Sequence, residues 1–109
     1  MEKRKPHYDL KTFKVLFASV STRIITKKAR SNAVTLGYMN EDDMVSVIDQ
    51  LGMAHFHKSM TSYYDYTIWQ DVYRYQDDKD NHLYIKVQFS VDGKKAILIQ
   101  IKRDEGSEK

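Results

Sequence analysis

The sequence predicts an α+β fold, with N-terminal helices packed on one face of a mainly antiparallel, twisted sheet. Three observations lead there: apolar residues recur at three- and four-residue steps before Gly52, alternate with polar residues after it, and turn residues punctuate the alternating part. Helices first and strands second is the pattern of segregated layers rather than of a doubly wound sheet. A chain of 109 residues is long enough for a core and too short for two, so residues 1–109 are expected to form a single domain.

Pro6 suits a first helical turn, and Leu10, Phe13, Leu16, Phe17 and Val20 follow at helical steps, predicting a helix over about 7–19. Thr26 is placed to cap a second helix that ends at Gly37, with Ala29, Ala33 and Leu36 on one side. Its first turns carry Lys27, Lys28 and Arg30, a basic start that opposes the helix dipole and suits an anion. Asn40, followed by Glu41, Asp42 and Asp43, opens a third helix that buries Met44, Val47, Ile48 and Leu51 before Gly52.

Strands are expected near 54–61, 67–76, 83–90 and 95–102. Leu83, Ile85, Val87 and Phe89 share one face of the third, and Tyr84, Lys86 and Gln88 share the other. The last strand alternates Ile97, Ile99 and Ile101 with Leu98, Gln100 and Lys102, so keeping both apolar sets together pairs Ile85 with Ile101, Phe89 with Ile97 and Tyr84 with Lys102. A symmetric hairpin from Gln76 to His82 puts Arg74 near Tyr84, with Val72 and Gln70 continuing that face and Trp69, Tyr73 and Tyr75 turned to the helices. Asp71 falls on the helix side and demands a bulge or a buried hydrogen bond. The final residues, RDEGSEK, read as a frayed tail.

Composition narrows the chemistry. With no cysteine there is no disulfide, thiolate nucleophile or cysteine-bound metal, as a reducing cytoplasm tolerates. No apolar run reaches signal-peptide or membrane-span length. Eighteen Lys and Arg against fifteen Asp and Glu give a net charge of +3, a bias that suits a polyanionic partner without requiring one. No Gly-rich phosphate loop, HExxH or GxSxG occurs.

The run KSMTSYYDYTIWQDVYRY, residues 58–75, holds five tyrosines, the only tryptophan, Lys58, Gln70 and Arg74. Rings that stack on bases beside cations that neutralise phosphates suit single-stranded RNA, although the same residues are common in strands and interfaces. The polar sheet face adds Tyr84, Lys86 and Lys102. Cleavage through the ribose 2′-hydroxyl needs a base, cations for the phosphorane and an acid, and this group could provide them, with Tyr84 as base if the cations lower its pKa. Solvated strand residues are the ordinary fate of such a set. His55 and His57 lie two apart on one strand without a third ligand nearby, so no metal site and no cofactor are expected; His82 is read as a turn residue and His7 as a first-turn residue within reach of a ligand.

The opening MEKRKPH and the run FHKSMTSYYDYTIWQDVYR closely resemble the MqsR family, the motility quorum-sensing regulator toxins of bacterial type II toxin-antitoxin systems, with LGYMNEDDMVSVI, HLYIKV and AILIQIK matching in pattern. The resemblance implies a RelE-like fold and a ribosome-independent messenger-RNA interferase that cuts single-stranded RNA at GC-containing sites. It also implies a cognate zinc-binding antitoxin of the MqsA type, and it leaves monomer or dimer open. Carried over residue by residue, it implies catalytic roles for Lys58, Gln70, Tyr84 and Lys102, and substrate contacts for His7, Met60, Tyr63 and Arg74, to which the shared face adds Lys86. IQIKRDE aligns at Lys102 or Arg103, and only Lys102 has the strand parity; SVDGKK lacks a histidine associated with the family at that tip. A non-catalytic RNA-binding module and a protein-interaction domain with a tyrosine-rich interface remain the competing readings.

Overall fold

Burial of the alternating apolar positions organises the chain around a six-stranded sheet, seen in a computed structural model that describes residues 1–105. The strands are β1 (Glu2–Lys3), β2 (Arg23–Ile25), β3 (Phe56–Thr61), β4 (Trp69–Gln76), β5 (His82–Phe89) and β6 (Ala96–Arg103), in the spatial order β1-β3-β4-β5-β6-β2. All neighbours are antiparallel except β2 and β6. Three α-helices among the described residues, α1 (Leu10–Ala18), α2 (Lys27–Thr35) and α3 (Glu41–Gln50), complete the α+β architecture expected from the sequence. Phe13, Phe17, Ala33, Met44 and Ile48 meet Tyr73, Leu83, Ile85, Leu98 and Ile101 in one core.

Each helix begins on a side-chain cap. Asp9 accepts from the Thr12 amide, Thr26 from that of Ala29 and Asn40 from that of Asp43. The first helix therefore starts at Leu10, not near Pro6, because residues 7 and 8 spend their amides on the sheet instead. The helix ends at Ala18, which leaves Val20 exposed rather than in the apolar stripe.

The receiver of those amides is Asp71, fully buried on β4. Its carboxylate accepts from the His7 amide at 3.0 Å, the Tyr8 amide at 2.9 Å and the Ser59 hydroxyl at 2.6 Å, and so supplies the buried hydrogen bonds its sequence position demanded. Above it the Tyr8 hydroxyl donates to the Trp69 carbonyl at 2.7 Å, and the His7 ring stacks on Trp69 with centroids 5.5 Å apart. Tyr73 is buried and Tyr75 packs on the core, whereas Trp69 meets the N-terminal arm.

The β5–β6 pairing keeps Ile85 opposite Ile101 and Tyr84 opposite Lys102, but Phe89 faces Ala96, not Ile97. The strict alternation fails because Ile99 is an extra residue between the Lys86–Gln100 and Val87–Leu98 pairs. That bulge turns Ala96 and Leu98 into the core and releases Ile97 and Ile99 from it. The end of the chain also departs from a frayed tail: Arg103 is in β6, and Asp104 is buried, donates its amide to the His82 carbonyl and pairs with Arg74. The remainder of the expected tail, residues 106–109, lies outside the described residues. The short strands β1 and β2 had no sequence signal of their own, since two- and three-residue edge strands carry too little alternation to be seen.

Asp71→Ala leaves two backbone donors and one hydroxyl without their acceptor. It should lower the unfolding free energy by about 3 kcal/mol, read as a reduced urea midpoint, and limited proteolysis should then clip the arm ahead of Leu10.

Candidate functional site

Strand parity places the expected residues on the sheet face away from the helices. Cα partners share a face in an antiparallel ladder, so three rows cross it: Met60 and Gln70; Lys58, Val72, Lys86 and Gln100; Arg74, Tyr84 and Lys102. Val72 is fully buried yet outside the core cluster, covered by its row neighbours rather than by the helices. The Gln70 amide donates to Gln88 at 2.8 Å, which fixes the end of the first row.

Tyr84 is central. The Lys102 ammonium lies 5.1 Å and the Lys86 ammonium 5.9 Å from its ring centroid, and its hydroxyl is 3.9 Å from the Met60 sulfur. Two of the surrounding cations are tethered: Lys58 to Glu2 of β1 at 2.8 Å, and Arg74 to Asp104 at 2.9 Å. Asp104 is buried and Arg74 half-exposed, so the pair holds the guanidinium at the surface with one side still open.

Burial pushes the Tyr84 phenol above its ordinary value, and the opposing pull of Lys58 and Arg74 is outweighed with help from Asp104 and Glu2. The lowering that a base role requires therefore does not occur, and the phenol keeps its proton at neutral pH. Lys86 moves down, first through burial and then through Lys102, Lys28 and Lys58, as follows when ammonium groups crowd.

His57 is a further candidate that the sequence reading did not place at the site. It is the extra residue of a bulge between Phe56 and Lys58, its carbonyl accepts from Arg4 at 3.5 Å, and its pKa is lowered by burial and then by Arg74, Lys58 and Arg4. His55, expected on the same strand, instead lies ahead of it in the 3-10 turn Met53–His55, where its Nδ1 accepts from the Gly52 amide at 2.9 Å. The signal in the sequence was adjacency to Lys58.

His7 is not in these rows. It sits in a neighbouring cleft with Trp69 and Gln88, its Nδ1 3.1 Å from the Lys3 ammonium, and its pKa is lowered by burial and by that lysine. Tyr63 is 93% exposed, on the loop between β3 and β4 with Tyr64 and Tyr66. It edges a cavity shared with Lys28, Gln70, Lys86 and Gln100.

The comparison with known proteins decides the family. Residues 5–103 match the model of the motility quorum-sensing regulator, toxin of MqsA. The chain belongs to that family. A relative from Escherichia coli (strain K12), the mRNA interferase toxin MqsR, is 49% identical over 74 residues, covering 68% of this chain and 74% of its own. The matched region contains every row just described, so the basic face is carried on the part of the chain that the family model spans.

Both shifted imidazoles carry a sign. A histidine whose folded pKa lies below its unfolded value of 6.5 binds fewer protons folded than unfolded, so its contribution is present above 6.5 and is lost as pH falls through the folded value. Thermal unfolding should occur at lower temperature at pH 5 than at pH 7, before the carboxylates titrate. Arg74→Ala should raise the His57 pKa by removing a cation and leaving Asp104 without it, measurable by NMR titration.

Proposed function

We propose that this protein is an endoribonuclease toxin acting on single-stranded messenger RNA, with its active site on the face centred on Tyr84. The observation that carries the reading is the convergence of Lys58, Arg74, Lys86 and Lys102 on one phenol, a cation-rich face on which only Lys58 and Arg74 have carboxylate partners and which suits a polyanionic ligand. Family membership and the name of the Escherichia coli relative support it. The same membership supports finer expectations: a RelE-like single domain, ribosome-independent cutting at GC-containing sites and neutralisation by a zinc-binding antitoxin.

The chemistry follows the ordinary course of RNA transesterification. The 2′-oxygen attacks phosphorus, the bond from phosphorus to the 5′-oxygen breaks, the 2′-proton passes to a base, and the leaving oxygen takes a proton, giving a 2′,3′-cyclic phosphate and a 5′-hydroxyl. Lys58, Arg74 and Lys102 stabilise the phosphorane, which develops more negative charge than the bound phosphate, and they therefore favour the transition state. Gln70 orients a phosphate oxygen. Tyr84, protonated, donates to the phosphate or to the leaving oxygen, in place of the base role anticipated from sequence. Lys86, easier to deprotonate than an ordinary lysine, assists as a donor. The base is assigned to His57, neutral at pH 7 and next to Lys58, since Glu2 and Asp104 are occupied by Lys58 and Arg74. Met60 lies against the Tyr84 hydroxyl as an apolar wall, with Tyr63 and His7 as outlying contacts.

Purified protein incubated with single-stranded RNA containing several GC steps should yield discrete new ends carrying cyclic phosphate. Lys58→Ala should reduce cleavage on the order of 100-fold or more. Tyr84→Phe should reduce it by a similar factor on the order of 100-fold while changing RNA affinity little, which separates chemistry from binding. RNA that is bound and never cut would favour a non-catalytic binding module. A cleavage rate whose acid limb stays in place in His57→Gln would remove the imidazole from the base role.

A further inference from the structure

Next to the proposed catalytic rows lies a cavity of about 400 Å³, in the range that small ligands occupy. Its walls combine three chemistries: cations from Lys28 and Lys86, rings from Tyr63 and Tyr64, and amides from Gln70 and Gln100. Lys28 comes from a helix far away in sequence. It is brought to the sheet because the Thr26 amide donates to the Leu98 carbonyl at 3.2 Å and the Thr26 hydroxyl donates to the Ile99 carbonyl at 2.8 Å, fastening α2 to the bulge of β6.

Gln100 gives the cavity its direction. Its residue is only 8% exposed, its side-chain amide has no hydrogen-bond partner among the described residues, and no fully buried side-chain polar atom there is unsatisfied. The amide therefore opens onto the cavity, presenting a donor beside an acceptor to whatever enters. Gln70 cannot easily rotate away, since its amide is held by Gln88 at 2.8 Å. Tyr64 is 92% exposed and its ring meets that of Tyr63 edge-on with centroids 5.2 Å apart, an open platform for a planar guest. Two other clefts of similar size differ in charge, the first although it also holds Lys79, Tyr38, Tyr75 and Gln50. The one of about 410 Å³ carries Asp43, Asp77 and Asp78, which repel phosphate, and the one of about 450 Å³ beside Trp69 carries Asp65 and no lysine.

We propose that this cavity is a base-reading subsite that takes one nucleotide flanking the scissile phosphate, with Gln100 pairing to the base edge, Tyr64 stacking on the ring and Lys28 neutralising the adjoining phosphate. A side-chain amide matches a base edge with a donor next to an acceptor, and unstacked bases in single strands expose such edges. Continuity with Lys86 and Gln70 sets the strand's path from the catalytic rows into the cavity. The position of the scissile phosphate rests on the nuclease reading above; occupancy by a nucleotide does not.

The full chain should be titrated with 2′-O-methyl RNA octamers, which cannot be cleaved, differing at one base, with the Gln100 side-chain amide followed by NMR. That resonance should shift saturably, and affinity should differ between bases by roughly fivefold or more. Gln100→Leu should collapse this preference and move the cut sites in cleavable RNA. Lys28→Ala should weaken all sequences alike and reduce the slope of log affinity against log salt by about 0.7. Octamers bound with base preference at Gln100 but no cleavage of ordinary RNA would uphold the subsite and sink the nuclease reading. Cleavage with an unmoved Gln100 resonance, or with the same cut sites in parent and Gln100→Leu, would overturn the subsite and leave the nuclease reading intact.

Discussion

A single buried carboxylate, that of Asp71, ties the N-terminal arm to the middle of the sheet, and much of the site hangs from that tie. Burying a charge is costly unless hydrogen bonds compensate, and here two consecutive backbone amides and a hydroxyl do so. The amides belong to residues just ahead of the Asp9 cap, so the same contact sets where α1 begins. Upstream, the arm runs back along β3 as β1, with Glu2 opposite Met60, and this register brings the Glu2 carboxylate to Lys58. Without the arm, Lys58 would have no tether, and Trp69 would lose His7 and Lys3 from its ring.

The basic face shows how a protein holds like charges together before its ligand arrives. Lys58 and Arg74 each have a carboxylate, while Lys86 and Lys102 gather around an aromatic face instead. The pKa of Lys86 is lowered first by burial and then by that crowding. In the reaction proposed above, a phosphate diester relieves it by entering among the cations, and the phosphorane relieves it further, which is the differential stabilisation catalysis needs. Glu2 is half-exposed on a two-residue edge strand, so an incoming phosphate can compete with it for Lys58, whereas the buried Asp104 keeps its hold on Arg74.

Two bulges shape the face. The one at His57 sets an imidazole beside Lys58, and the one at Ile99 shifts the far end of β6 by one residue, sending Leu98 into the core and exposing Ile99 toward the cavity with Gln100 beside it. Bulges commonly re-aim side chains next to functional sites. Because Thr26 bonds to both Leu98 and Ile99, the β6 irregularity is also where α2 is anchored.

The sequence by itself determined the segregated helices and strands, the Thr26 and Asn40 helix caps though not that of Asp9, the Tyr84–Lys102 and Arg74–Tyr84 pairings, and hence which cations share a face. These are local or parity properties: a cap acts within one turn, and a period of two assigns every residue of a regular strand to a side. Only the tertiary structure decided the acceptor role of Asp71, the edge strands, the bulges, the Asp104 tether and the proton held by Tyr84. Each of these depends on groups distant in sequence meeting in space, and on how much water burial removes from them, which no local pattern encodes.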